Sequence, residues 1–277
     1  ASSTPDGKQI LVPSTYYAWG VFFRPSVWDA RGYAEPKTKE EWLTLCEKMK
    51  GDGLVPLAFA DKGGWEAMGT FDMINLRVNG YDYHVSLMAG EEAWDGEKVK
   101  NVFKIWDEFT PYQQPDALGR TWQEGAQALL NEQAGMMTMG MFIGQQFEAS
   151  NMMEDHDIFI FPEFDSGIRS DVVEAPIDGF MKAADPANPE GAKELLTYLS
   201  PPAAQELTLS VDPSVVGANS ETSQDGYSHL QKKAVEIIGQ AKNISQFLDR
   251  DTRPDFASTV VGPAIQSYIQ NPGDIDN

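Results

Sequence analysis

Three histidines, His84, His156 and His229, are the only imidazoles in the chain, and no two of them fall in a metal-spaced pair such as H-x-x-x-H. His156 lies in the run Glu154-Asp155-His156-Asp157, which reads as a solvated loop before it reads as a ligand cluster. There is no G-x-S-x-G elbow, no P-loop and no G-x-G-x-x-G turn, so neither an activated serine nor a nucleotide cradle is indicated. A glycosidase needs two carboxylates in opposed roles, but 42 acidic residues supply chance pairs in plenty, and abundance proves nothing. No catalytic residue, metal site or cofactor is therefore expected. Binding chemistry is richer. A sugar presents apolar C–H faces, which lie against aromatic rings, and hydroxyl rims, which pair with carboxylates, amides and guanidinium groups in a concave site. Gly63-Gly64-Trp65-Glu66, followed by Phe71 and Asp72, has that character, because two glycines expose a tryptophan on a loop where packing would otherwise claim it. So do Phe142 with Gln145 and Gln146, and Asp178-Gly179, where a carboxylate beside glycine can approach a hydroxyl. Tyr17 and Trp19 alternate onto one strand face, towards a cleft or towards the core. Asp249 and Arg250 offer a charged pair, whose plainer reading is a surface ion pair worth only about 0–1 kcal/mol.

The elements that must position these groups alternate between two periods. Tyr16 to Phe23 reads as one apolar strand, turned at Arg24 and Pro25. Thr38 and Glu41 have capping-box spacing, and Trp42, Leu45, Cys46 and Met49 behind them fall on one helix face. Leu54 to Phe59 reads as a buried strand, residues 66 to 78 as a helix, and Asp95 as the N-cap of a helix running to Phe109. Thr121 and Glu124 open another helix. Met136 to Met141, Asp157 to Phe161 and Val172 to Ile177 read as strands, and 6 to 14 as a further one. Pro189 and Pro201-Pro202 start two helices, and 227 to 241 and 256 to 270 are the last two. Strands alternating with helices imply α/β layers.

Composition narrows the class further. A chain of 277 residues favours two domains, and 42% hydrophobic residues suffice for packed cores. Twenty-one basic against 42 acidic residues, a net charge of −21, argue against a nucleic-acid partner. No run of about 18 apolar residues suggests a membrane span. The single cysteine, Cys46, sits on an apolar helix face and reads as a core thiol.

Several segments, in order, resemble the extracellular solute-binding proteins of ABC importers, the maltose-binding-like group. Phe23-Arg24-Pro25, Gly32, Pro36 and the KTKEEW helix start resemble that family's YNK-x-x-F-x-x-x-G-x-x-x-P-x-T-W-x-E segment. GMMTMGMF, Gly135 to Phe142, resembles its A-M-x-x-x-G-x-W, with Phe142 at the Trp position. EAPIDGF, Glu174 to Phe180, resembles the strand that re-enters the first lobe. NPEGAKELLTYLSPPAAQ, Asn188 to Gln205, resembles its P-E-A-A-x-x-F-L-x-x-L-x-x-P-E-A-Q helix pair. The resemblance implies a two-lobed, type II periplasmic-binding-protein-like α/β fold with hinge strands between discontinuous lobes. Lobe one would hold 1–15 and 178–240, lobe two 16–177 and 241–277, with crossovers near Thr15, Ile177 and Gln240. It implies a cleft receptor for a sugar or oligosaccharide, with Trp65, Glu66 and Asp72 facing the cleft from lobe two and Phe142 stacking on the ligand. Asp178, Gly179, Tyr17, Trp19, Asp249 and Arg250 would lie at crossovers or in a cleft loop. Importer membrane subunits would be the partners, and a monomer outside the cytoplasm, in the periplasm or lipid-anchored at the surface, the expected state. A non-sugar solute, a cation or a polyol, is the alternative ligand. Against the family's length the chain reads as lacking the opening half of lobe one and a short final helix.

Overall fold

The structure, a computed structural model, describes residues 6–164, 168 and 172–276. Its strands are β1 (Val12–Tyr16), β2 (Trp19–Phe23), β3 (Val55–Ala58), β4 (Ala134–Gly140), β5 (Asp157–Phe159), β6 (Val172–Glu174), β7 (Ile177–Phe180), β8 (Val216–Gly217) and β9 (Asn243–Ser245). The helices of the first half are α1 (Pro25–Arg31), α2 (Lys39–Gly51), α3 (Glu66–Val78), α4 (Gly80–Met88), α5 (Glu97–Asp107), α6 (Trp122–Leu130) and α7 (Gly144–Ala149). Those of the second are α8 (Pro189–Leu199), α9 (Pro202–Val211), α10 (His229–Gln240), α11 (Leu248–Asp251), α12 (Pro254–Phe256) and α13 (Gly262–Gln270).

The strands form three sheets. The larger has the order β3-β4-β2-β5, with β3 and β4 parallel and the other pairs antiparallel. A smaller antiparallel sheet has the order β7-β1-β8, and β6 pairs in parallel with β9. The run Tyr16 to Phe23 is thus not one strand. Tyr16 pairs with Ile177 in the small sheet and Trp19 with Gly140 in the large one, and the chain crosses between them at Tyr17 and Ala18. Val172 to Ile177 also divides, with β6 bound to β9 and β7 to β1. Pro176 stands at the break and has no N–H to continue a ladder.

The helix starts follow local chemistry. Thr121 and Glu124 make a full capping box. At Thr38 only half of one forms: the Thr38 hydroxyl accepts the Glu41 N–H, while the Glu41 carboxylate accepts the Lys37 N–H at 2.6 Å instead. Ser228 and Gln231 form a second full box at α10. α5 begins at Glu97 with Gly96 extended in the N-cap place, one residue beyond the expected Asp95. The core gathers around the large sheet, where Trp19, Trp42, Trp106, Phe22 and Phe71 are fully buried; Cys46 is buried there too, as its helix face implied. α3 runs through this core, and nearly every residue along it is buried. The small sheet is covered far less: Leu195, Tyr198, Leu207 and Val211 on α8 and α9 are 56–76% exposed.

Candidate ligand-binding site

Where the chain passes between sheets, loops from five separate segments meet around one cavity of about 440 Å³. This lies in the range of about 300–1,000 Å³ usual for small-molecule sites. Tyr17 and Trp19 come from the β1–β2 crossing, Trp65 from the loop before α3, and Trp122 from the first position of α6. Phe142 and Gln145 follow the end of β4, and Phe247, Asp249 and Arg250 come from the turn into α11.

Phe142 organises the wall. Its ring centre lies 5.4 Å from Tyr17, 6.2 Å from Trp19, 6.1 Å from Trp65 and 5.2 Å from Trp122, mostly edge to face. Edge-on pairs set the electropositive rim of one ring against the negative face of the next, which fixes each ring's tilt. Gly140 allows this arrangement, because a methyl there would strike the Phe142 ring. Phe247 closes the wall at 4.8 Å from Trp19 and 6.3 Å from Trp65. Trp65, Trp122 and Phe142 are half-buried and so present ring surface to the cavity, whereas Trp19 and Phe247 are buried behind them. The Trp65 loop turns at Gly64, whose φ of 76° belongs to the left-handed region that glycine tolerates.

The polar groups cluster on one side. Arg250 Nη1 donates to Asp178 Oδ1 at 2.7 Å and to the Ile177 carbonyl at 3.3 Å, and Nη2 donates to the Tyr17 hydroxyl at 3.2 Å. One guanidinium therefore ties α11 to β7 and to the β1–β2 crossing. Burial raises the Tyr17 hydroxyl well above the ordinary phenol range, with Arg250 opposing, so it stays neutral and can donate as well as accept. Burial also raises the Asp249 carboxyl, and its Oδ1 is buried without a hydrogen-bond partner.

The residues expected to serve the site divide into two groups. Tyr17, Trp19, Trp65, Phe142, Asp249 and Arg250 converge on the cavity, and Asp178 stands at its edge as the partner of Arg250. Glu66, Asp72 and Gly179 do not line it. Asp72 sits on the inner side of α3, wholly buried, where its Oδ2 accepts the Leu248 N–H at 2.8 Å and anchors the start of α11. Glu66 is buried at the beginning of α3, its Oε2 3.4 Å from the Trp65 N–H. Gly179 pairs with Pro13 in the small sheet, and a side chain there would strike the Val12 carbonyl. Sequence pattern does not mark Trp122 or Phe247; Trp122 directly follows the Thr121 cap, and Phe247 lies two residues before Asp249.

His156 corrects its expectation. It is 2% exposed, with its ring stacked on Phe147 at 4.0 Å and tilted against Phe22 at 5.2 Å, and burial pushes its pKa down to about 3. It is a neutral core ring. Among the described residues, no group of three or more His, Cys, Asp or Glu could hold a metal ion, and no helix is long and apolar enough to cross a membrane. A larger cavity, about 590 Å³, lies elsewhere, between the start of α2, β5 and the end of α10, and has no exposed aromatic ring in its wall.

Residues 2–206 match the family described as bacterial extracellular solute-binding protein. Over 206 residues the chain is 25% identical to an uncharacterized ABC transporter extracellular-binding protein of Pyrococcus horikoshii, a match covering 74% of this chain and 45% of that one. It is 23% identical to a probable sugar-binding periplasmic protein of Rhizobium meliloti, covering 85% and 56%. The chain thus spans about half the length of the curated relatives it matches. Among solved structures it superposes with a TM-score of 0.94 on the bacterial solute receptor AcbH, at 43% identity, covering 99% of this chain and 70% of that one. AcbH is described as having an exclusive substrate preference for β-D-galactopyranose.

Proposed function

The chain belongs to the bacterial extracellular solute-binding proteins, a two-lobed α/β fold, and we propose that it captures a sugar in the aromatic cavity and hands it to an ABC importer. One observation carries this reading. Half-buried aromatic rings and the polar groups of Arg250, Asp249, Tyr17 and Gln145 face one concavity at the crossing between two sheets, with Asp178 at its edge holding Arg250. Each ring lying on a sugar face contributes about 0.5–1.5 kcal/mol beyond area burial. Each hydrogen bond to a charged group contributes about 1.5–3 kcal/mol and fixes the hydroxyl it meets. The galactopyranose preference described for AcbH, at 43% identity, supports a saccharide as the ligand class.

The reading takes the lobe division that the resemblance implies, 1–15 with 178–240 and 16–177 with 241–277, and on that division the crossings near Tyr17, Pro176 and the end of α10 would serve as hinges. Domain closure around a ligand is a movement for which periplasmic binding proteins are the standing example. The ligand favours the closed form only by its extra affinity for that form. Closure then presents surfaces of both lobes to the importer's membrane subunits, on the outer side of the membrane, and the ligand is released unchanged. The protein acts as a monomer.

A tryptophan-fluorescence titration against mono- and oligosaccharides tests the reading, because Trp19, Trp65 and Trp122 all line the site. A saturable response that Trp65→Ala abolishes is expected. Silence across the panel from a folded protein overturns the sugar reading. It would favour a small organic cation, which an aromatic wall beside the unpartnered Asp249 oxygen would also suit.

A further inference from the structure

Behind the cavity wall, α3 and α4 pack against the paired strands β6 and β9, with α11 against both helices. Asp72 on α3, His84 on α4, Glu174 at the end of β6 and Ser245, its neighbour in β9, are each at most 2% exposed. Among the described residues, Asp72 Oδ1, His84 Nε2, Ser245 Oγ and both carboxyl oxygens of Glu174 find no hydrogen-bond partner. Buried polar atoms are normally paired, so such a cluster calls for a physical reason.

The charges around Glu174 are mostly of its own sign. Asp72 faces it from α3, and Asp249 and Asp251 from α11, while Arg250 acts against them. Arg77, also on α3, is engaged by the Phe161 and Val172 carbonyls at 3.0 Å each. His84 brings no charge: its Nδ1 accepts the Asn75 amide at 3.2 Å, and burial pushes its pKa down to about 4. Tyr17, at the β1–β2 crossing, is neutral as well. Burial above all, with Asp72 and Asp251 adding to it, raises the Glu174 carboxyl well above its ordinary range. Asp72 is raised too, but there the Leu248 N–H opposes burial. Glu174 has no such donor, so the proton of the pair rests on Glu174.

A charge on Glu174 would disturb α11. Asp72 Oδ2 holds the Leu248 N–H at 2.8 Å, and Phe247, Asp249 and Arg250 on either side of Leu248 are cavity wall. Past Glu174 the Ile177 N–H donates to Gln246 Oε1 at 3.1 Å, and the Ile177 carbonyl accepts from Arg250. We infer that Glu174 is a positioning residue: as a neutral acid it lets α11 seat Phe247 and Arg250 in the cavity, and its ionisation unseats α11 and weakens ligand binding. The seated form holds the proton more tightly, so seating is complete at low pH and is lost as pH rises towards the raised value, by at most a factor of about ten per pH unit. The ligand readout rests on the sugar reading above.

Two measurements on the full chain between pH 6 and 9 test this. Hydrogen exchange at the Leu248 amide, corrected for its intrinsic rate, needs no ligand, and its protection should fall at least about fivefold across the range. The dissociation constant for galactose, followed by tryptophan fluorescence, should rise by a similar factor. Glu174→Gln, which copies the neutral acid, should bring both changes below about twofold. Asp72→Asn, which removes the neighbouring charge, should weaken both, and serves if the first variant does not fold. Asp61 titrates in every one of these proteins, so the difference between them belongs to Glu174. Protection and affinity that stay flat, or that fall equally in wild type and variants, overturn the inference while the sugar reading stands. Protection that falls with pH in the wild type alone, with no binding of galactose or any other saccharide, supports the positioning role and overturns the sugar reading.

Discussion

Asp61→Asn tests whether the loop that carries Trp65 is built on a protonated carboxyl. Asp61 is 1% exposed. Its Oδ1 accepts the Ala67 N–H at 2.9 Å, its main-chain oxygen accepts Gln266 Nε2 at 3.0 Å, and its Oδ2 has no donor facing it. Burial, with Glu66 alongside, pushes its pKa from 3.8 to about 7. The folded value lies above the unfolded one, so the folded state holds more protons between them. The stabilisation is complete below about pH 4 and is lost as pH rises through about 7. At about 1.4 kcal/mol per pH unit, a shift of this size costs the wild type at most about 4 kcal/mol at pH 8 relative to acid. Asparagine keeps the acceptor for Ala67 and puts an N–H where the Oδ2 proton would be, with no titration. The variant should therefore match the wild type near pH 4.5 and gain on it by about 1.4 kcal/mol per pH unit until about pH 7. Urea denaturation followed by tryptophan fluorescence at half-unit intervals from pH 4.5 to 8 measures the difference. A gap that stays flat across the range, or a variant less stable at pH 8, would refute the reasoning.

Three other outcomes follow from particular contacts. Arg250→Lys keeps the charge but loses the planar fork that reaches both Tyr17 and Asp178, so ligand affinity should fall about tenfold while stability in urea changes by less than about 1 kcal/mol. His156→Phe should matter only in acid. Its folded pKa of about 3 lies below the ordinary 6.5, so its stabilisation is present above that value and lost as pH falls, and the variant should outlast the wild type in urea at pH 5 but not at pH 7.5. The exposed Leu195, Tyr198, Leu207 and Val211 should bind an apolar dye such as ANS under native conditions, and Leu207→Glu with Val211→Lys should diminish that signal without loss of secondary structure by circular dichroism.

What the sequence discloses here depends on how locally each feature is determined. The Thr121 cap, the buried face of α2 and the Trp65 loop are set by neighbours a few residues away, and they stand where pattern places them. Strand ends are set by partners far along the chain. Nothing within Tyr16 to Phe23 says that its two halves join different sheets, since all eight residues are apolar or glycine. Asp72 was misplaced for a related reason: α3 is buried nearly all round, so an acidic residue on it does not mark a solvent face. His156 stands among acidic neighbours in sequence but between two phenyl rings in space. The aromatic wall draws on five segments, so no spacing could reveal it. Trp122 and Phe247 enter only once the fold has brought them to Phe142 and Trp19.

The distribution of these groups assigns different tasks to the two kinds of contact. The half-buried rings, Trp65, Trp122 and Phe142, are all carried by elements packed on the large sheet. A ligand touching only those rings would gain the same free energy whether the lobes stood open or closed, and such a ligand cannot shift that equilibrium however tightly it binds. The contacts able to discriminate must reach across the crossing. Arg250 and Asp178 do so, since their ion pair joins α11 to β7 of the small sheet and is only partly screened from solvent. A sugar hydroxyl inserted between them, or bonded to both, would have a different geometry in each state. On the proposed reading, aromatic area would supply affinity, and the polar pair at the crossing between sheets would decide whether binding becomes closure.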